Sequence, residues 1–132
     1  MAQRSWMAHP VVGGIVGVFA GGLTVMLCEV LGHALFGTAD PNDLSTITTP
    51  MLASVLASWI LGAAVAGFVA THWTGARSIW PGTISALVLF AGSVATLFAI
   101  PHPVWMTVAT VALMPAAGWL AASSSARATR TA

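Results

Sequence analysis

The sequence predicts an all-α protein, an integral membrane four-helix bundle with both termini cytoplasmic. Three observations lead there. Hydrophobic residues make up 58% of the 132-residue chain and charged residues only 5%, against the roughly 25% charged that a soluble domain carries. Polar or proline-bearing stretches interrupt the apolar sequence three times and leave four runs, each near the ~20 residues that a bilayer crossing requires. The charged residues outside the runs separate by sign, the acidic ones in the first loop and the basic ones before the first span, in the second loop and after the fourth span.

The first span covers about 11–36, from Val11 to Phe36. It is too long for the apolar core of a secretion signal and has no obvious cleavage site, so it is read as a true span. Gly37 to Thr49, with Asp40, Pro41, Asn42 and Asp43, forms a loop that no bilayer would accept. Thr49 caps and Pro50 begins the second span, about 50–72. Thr71 to Ser78, with Gly75 and Arg77, is a short turn. The third span, about 79–100, carries Pro81 in its first turn, where a missing backbone donor costs little. Pro101, His102 and Pro103 end it. The fourth covers about 104–122, with Pro115 as a kink or packing site, and 123–132 form a flexible Ser/Ala/Arg tail. This is a single transmembrane domain, with no room for a soluble catalytic domain and no internal repeat of the kind seen in inverted-repeat transporters.

Alternating spans place Arg4, Arg77, Arg127 and Arg130 on one side and Asp40 and Asp43 on the other, which sets both termini in the cytoplasm. Trp6, Trp73, Trp80 and Trp119 fall near the cytoplasmic interface and Trp105 near the outer one. Trp59 alone falls well inside a span. A net charge of +1 without a basic cluster excludes nucleic acid as a partner. Cys28 is the single cysteine, so no intrachain disulfide forms, and its position suggests packing.

Gly13, Gly17 and Gly21 recur every four residues, with Gly14 and Gly22 beside them, and make a flat strip on the first helix. Gly62, Ala66 and Ala70, with Ala63 and Gly67 alongside, offer a match on the second. Such strips pack neighbouring helices of one chain, or serve a homo-oligomer or a larger membrane complex.

Glu29 is the only formal charge within the first span, and His33 follows one turn later on the same helical face. His102, in the outer loop between spans three and four, belongs to the same side of the membrane. An ionisable group at such a depth needs a partner, a water-filled cavity or a proton. Three chemistries fit Glu29, His33 and His102: hydrogen bonding that fixes helix packing, proton coupling between carboxyl and imidazole, or ligation of a metal or pigment. The first two are favoured, so no cofactor is expected, with ligation the least favoured. The His-Glu-x-x-His and Gly-x-Ser-x-Gly patterns of hydrolases are absent, and no enzyme is expected.

The segment Cys28 to Gly37 (CEVLGHALFG), the following Pro/Asp loop, the WILGAAVAGFVA stretch and Ile100 to Trp105 (IPHPVW) resemble an uncharacterised family of small four-span bacterial membrane proteins. There, E-x-x-G-H ends the first helix and H-P-x-W opens the fourth. The resemblance covers most of the chain and implies a fold, a multi-pass place in the bacterial inner membrane, and one site comprising Glu29, Gly32, His33, His102, Pro103 and Trp105. Glu29-Val30-Leu31-Gly32 is also similar to the acidic first-helix segment of small multidrug resistance transporters, four-span chains that exchange protons for cationic drugs. That likeness covers four residues, and this chain lacks their tyrosine. The expected role is therefore a non-enzymatic accessory or scaffold subunit packing against other membrane helices. The alternative is a proton-coupled small-solute transporter working as a dimer through Glu29. The expected partners are membrane lipids and other membrane helices, in a homo-oligomer or a larger complex.

Overall fold

The computed structural model describes residues 9–40 and 43–130; Arg4, Trp6, Pro41, Asn42 and the last two positions of the expected tail lie outside them. Helix α1 spans Pro10–Phe36. His9 caps it, its Nδ1 accepting from the Val11 N–H at 3.3 Å, and Pro10 occupies the first turn. Its 27 residues extend about 40 Å at 1.5 Å each, more than the ~30 Å hydrocarbon layer. Gly37 ends it with φ 87° and donates its N–H to the His33 carbonyl at 2.9 Å, a backbone conformation that glycine adopts without strain.

In the following loop Asp43 starts a single 3-10 turn, Leu44–Thr46. Its carboxylate accepts from the Ser45 N–H at 3.0 Å and from the Ser45 hydroxyl at 2.7 Å. Thr46 Oγ1 accepts from the Asp40 N–H at 2.8 Å and donates to the Asp43 carbonyl at 2.7 Å. These bonds tie Asp40, Asp43, Ser45 and Thr46 to one another.

Helix α2 spans Thr49–Trp73, with Pro50 in its first turn. It closes through Gly75 (φ 71°) and Ala76 (φ 53°), whose N–H groups return to the carbonyls of His72 and Thr71, each at 2.9 Å. Helix α3 spans Trp80–Ala99. Helix α4 spans Val104–Arg130 and runs through Pro115 without ending.

Residues 123–130 therefore correct the expectation of a flexible tail. Alanine and arginine are strong helix formers, and no glycine or proline follows Gly118 to stop elongation. Ala122, Ser125 and Ala126 are buried against the bundle, so the small residues that suggest a solvated tail are a packing face.

All four helices are long and apolar enough to cross a membrane. Helix α2 packs against the other three, α1 and α4 flank it, and α3 touches all of its neighbours. Gly13, Gly17 and Gly21 of α1 meet Ala70, Ala66 and Gly62 of α2 in antiparallel register. A Cβ on Gly17 would stand 2.6 Å from the Ala70 Cβ and 2.7 Å from the Ala66 carbonyl oxygen, and one on Gly21 would stand 2.5 Å from the Gly62 carbonyl oxygen. Gly32 continues the seam against Ser54. Gly67 faces elsewhere: its backbone meets Gly118 of α4 and Gly82 of α3, while Gly118 lies against Ala86. Ser85 Oγ ties α3 to α1 by donating to the Gly14 carbonyl at 2.9 Å.

Toward the opposite end the helices are held by larger side chains, with Leu56, Trp59, Met106 and Met114 buried together and Val25, Leu89 and Leu97 packed on them. The outward faces carry Ile15, Phe19, Leu23, Leu27 and Leu31 of α1 and Phe98 of α3, all exposed, as a helix surrounded by lipid requires.

Gly22 corrects the expected packing strip. Nothing lies within 4 Å of a Cβ placed there. One residue on from Gly21, it is turned about 100° around the helix, off the α2 seam and toward open space.

Gly17→Leu is expected to destabilise the bundle by at least the ~1–3 kcal/mol of core overpacking, whereas Gly22→Ala leaves stability within about 0.5 kcal/mol; thermal unfolding in detergent compares them. The two Ser45 bonds, the hydroxyl's first and the N–H second, hold the Asp43 pKa below its ordinary 3.8. A group with a lowered folded pKa stabilises fully above its unfolded value and loses that contribution as pH falls through the folded one. NMR titration should place the Asp43 midpoint below 3.8, and Ser45→Ala should move it back up.

Candidate functional site

Glu29 sits about two turns from the loop end of α1, some 10 Å along the axis. The antiparallel seam brings it level with Trp59 of α2, because Val25 lies against Gly62 below and Gly32 against Ser54 above. Trp59 Nε1 donates to Glu29 Oε1 at 3.0 Å. The indole is 5% exposed, among Leu56, Ala63, Ala86 and Met106, so its rotamer is set by packing. Among the described residues no donor meets the second Glu29 oxygen.

His102 reaches this group through Trp59. The two rings are 6.3 Å apart, inclined at 54°, and the half-buried imidazole is anchored by Nδ1 at 2.6 Å from the Ile100 carbonyl oxygen. The turn Pro101-His102-Pro103 between α3 and α4 aims it there. His33 is placed otherwise. Although one turn from Glu29, it is exposed, and no hydrogen bond joins the two. The partner of the carboxylate is thus thirty residues away in sequence rather than four. Among the described residues no three His, Cys, Asp or Glu side chains come together as a metal would need, so Glu29, His33 and His102 do not form a ligand set.

The free side of Glu29 opens on a cleft of about 270 Å³ between α1, α2 and α3. Gly22, Val25 and Glu29 form one wall, Trp59 the floor, and Leu89, Gly92, Ser93 and Thr96 the other wall. Gly22 and Gly92 make the room, since nothing lies within 4 Å of a Cβ on either. Ser93 Oγ donates to the Leu89 carbonyl at 3.2 Å and Thr96 Oγ1 to the Gly92 carbonyl at 3.1 Å. A second, apolar groove of about 620 Å³ lies between α1 and α3 nearer the chain termini, lined by Val11, Ile15, Phe19, Trp80, Ile84 and Val88 among others.

Sequence reasoning notes Trp59 for its depth alone, without placing it in the site, and passes over Ser93, Thr96 and Gly92. Trp59 does carry a signal: an indole N–H deep in an apolar span needs an acceptor, and Glu29 is the one carboxylate at matching depth. Ser93 and Thr96 lie three apart, on one face of α3. No protein-family model matches the chain, and neither a curated protein nor a solved structure is significantly similar to it.

Trp59→Phe keeps an aromatic ring, though a smaller one, and removes the donor, leaving Glu29 unpaired; a loss of about 1–3 kcal/mol from the bond alone is expected, with the cavity adding to it. Glu29→Gln keeps an acceptor for the indole and should cost less. Equal losses in unfolding experiments on the purified variants would show that the hydrogen bond does not govern this site.

Proposed function

We propose that this multi-pass protein is a proton-coupled carrier of small solutes, with Glu29 as the group that exchanges its proton for the solute. The observation that carries this is the carboxylate itself: within a span, held on one oxygen by Trp59, and open on the other side to a cleft of solute size. Ionisable groups retained inside a membrane mark ion and proton pathways by default. His102, its ring tilted against Trp59, stands where a gate toward the loop end would be needed. Gly67, Gly82 and Gly118 bring the helices together closely at the other end, and in this proposal the path across the bilayer runs between a pair of chains.

The chain is assigned to the bacterial inner membrane with both termini cytoplasmic. Arg77 and Arg127 belong to the end where α1 begins and α4 finishes, and Asp43 to the opposite end, the asymmetry of basic residues that sets orientation.

An accessory subunit without transport activity is the second possibility. Its strongest argument in sequence, the glycine strip of α1, is taken up inside the chain by α2. The apolar groove between α1 and α3 favours it instead, since that flank could seat a ridge of a neighbouring helix.

Reconstituted in proteoliposomes, the protein should support proton movement that depends on added solute, and Glu29→Gln should abolish it. Proton flux unchanged in Glu29→Gln, or stoichiometric co-purification with a larger complex and no flux, would count for the accessory role.

A further inference from the structure

Resting on the carrier role proposed above, we infer that the Glu29 cleft binds a primary ammonium group. The basis is an account of donors and acceptors. The Trp59 N–H is engaged by Glu29 Oε1. The Ser93 and Thr96 hydroxyl protons are engaged by the carbonyls of Leu89 and Gly92. A hydroxyl that donates to its own helix has only lone pairs left to offer. With Glu29 ionised, the polar side chains of the cleft therefore offer acceptors: the second Glu29 oxygen, Ser93 Oγ and Thr96 Oγ1. Val25 and Leu89 supply apolar contact, and Gly22 and Gly92 supply space.

Such a lining selects by chemistry. An anion or a carbonyl compound would bring acceptors against acceptors beside a negative charge, with desolvation uncompensated. A primary ammonium brings three donors and one positive charge, and its bond to the carboxylate is of the charge-assisted kind. A quaternary ammonium has the charge without the donors. It would have to rely on an aromatic face, and Trp59, 5% exposed with its N–H edge turned to Glu29, presents almost none. The volume of about 270 Å³ lies just below the ~300 Å³ at which small-molecule sites begin, which favours a short alkylamine or the ethanolamine headgroup of a lipid entering between α1 and α3.

The test is calorimetric titration of the purified full-length protein in detergent with n-propylammonium, tetramethylammonium and acetate as separate probes. The expected result is binding of propylammonium alone. Glu29→Gln should weaken it at least tenfold, and Thr96→Val, which preserves shape, should weaken it several-fold, as loss of one hydrogen bond to a charged group implies. Tetramethylammonium binding as tightly as propylammonium, acetate binding, or no binding of propylammonium would each overturn the inference. Native mass spectrometry with phosphatidylethanolamine against phosphatidylcholine separates the sources: selective retention of the former, displaced by propylammonium, identifies a lipid headgroup, and its absence alongside propylammonium binding identifies a free amine. Binding without proton flux would remove the carrier role and leave the ammonium site standing. Glu29-dependent flux of an uncharged solute without ammonium binding would do the reverse.

Discussion

Close approach of backbones to α2 is the constraint on which the rest of the structure depends. In a bilayer no hydrophobic force drives helices together, so packing has to come from surfaces that fit. Helix α2 meets α1 through Gly62, Ala66 and Ala70 on one side, and α3 and α4 through Ala63 and Gly67 on the other. The small residues end toward Trp59, the first large side chain in the series. From there to the loop end the interior is filled by bulk, and α1 and α3, joined at Gly14 and Ser85, leave between them the cleft that Glu29 faces. The tight half of the bundle fixes the register that brings Trp59 and Glu29 together in the open half.

That division explains what the sequence discloses. The spans are legible because bilayer thickness imposes a length on them. The α1 strip is legible because a period of four residues is a property of one helix. What a helix meets is not: Gly21 and Gly22 are neighbours in sequence, yet one is in van der Waals contact with α2 and the other borders empty space. Gly67, beside the α2 strip in sequence, turns to α3 and α4. The Glu29–His33 spacing likewise fixes a shared face but not what that face looks at, and the i, i+4 neighbour loses to a tryptophan on another helix. At the C-terminus composition misleads in the other direction, since Ser and Ala read as a tail and serve as a buried helical face.

Trp59 as the partner of Glu29 has a chemical consequence. An arginine or lysine there would have neutralised the carboxylate and closed the site as an ion pair, leaving little reason for a ligand to enter. An indole N–H gives one hydrogen bond and no charge. In the proposed carrier two species would complete the site: a proton on the free oxygen, or a cation whose donors meet that oxygen and the two hydroxyls. On that proposal they compete for the same atom. Mutual exclusion at one carboxylate couples the two ligands, and by linkage whatever strength the proton takes from the cation, the cation takes from the proton. The Glu29–Trp59 bond thus orients the carboxylate without satisfying it, and an unsatisfied carboxylate of fixed orientation is the minimum that exchange of a solute for a proton requires.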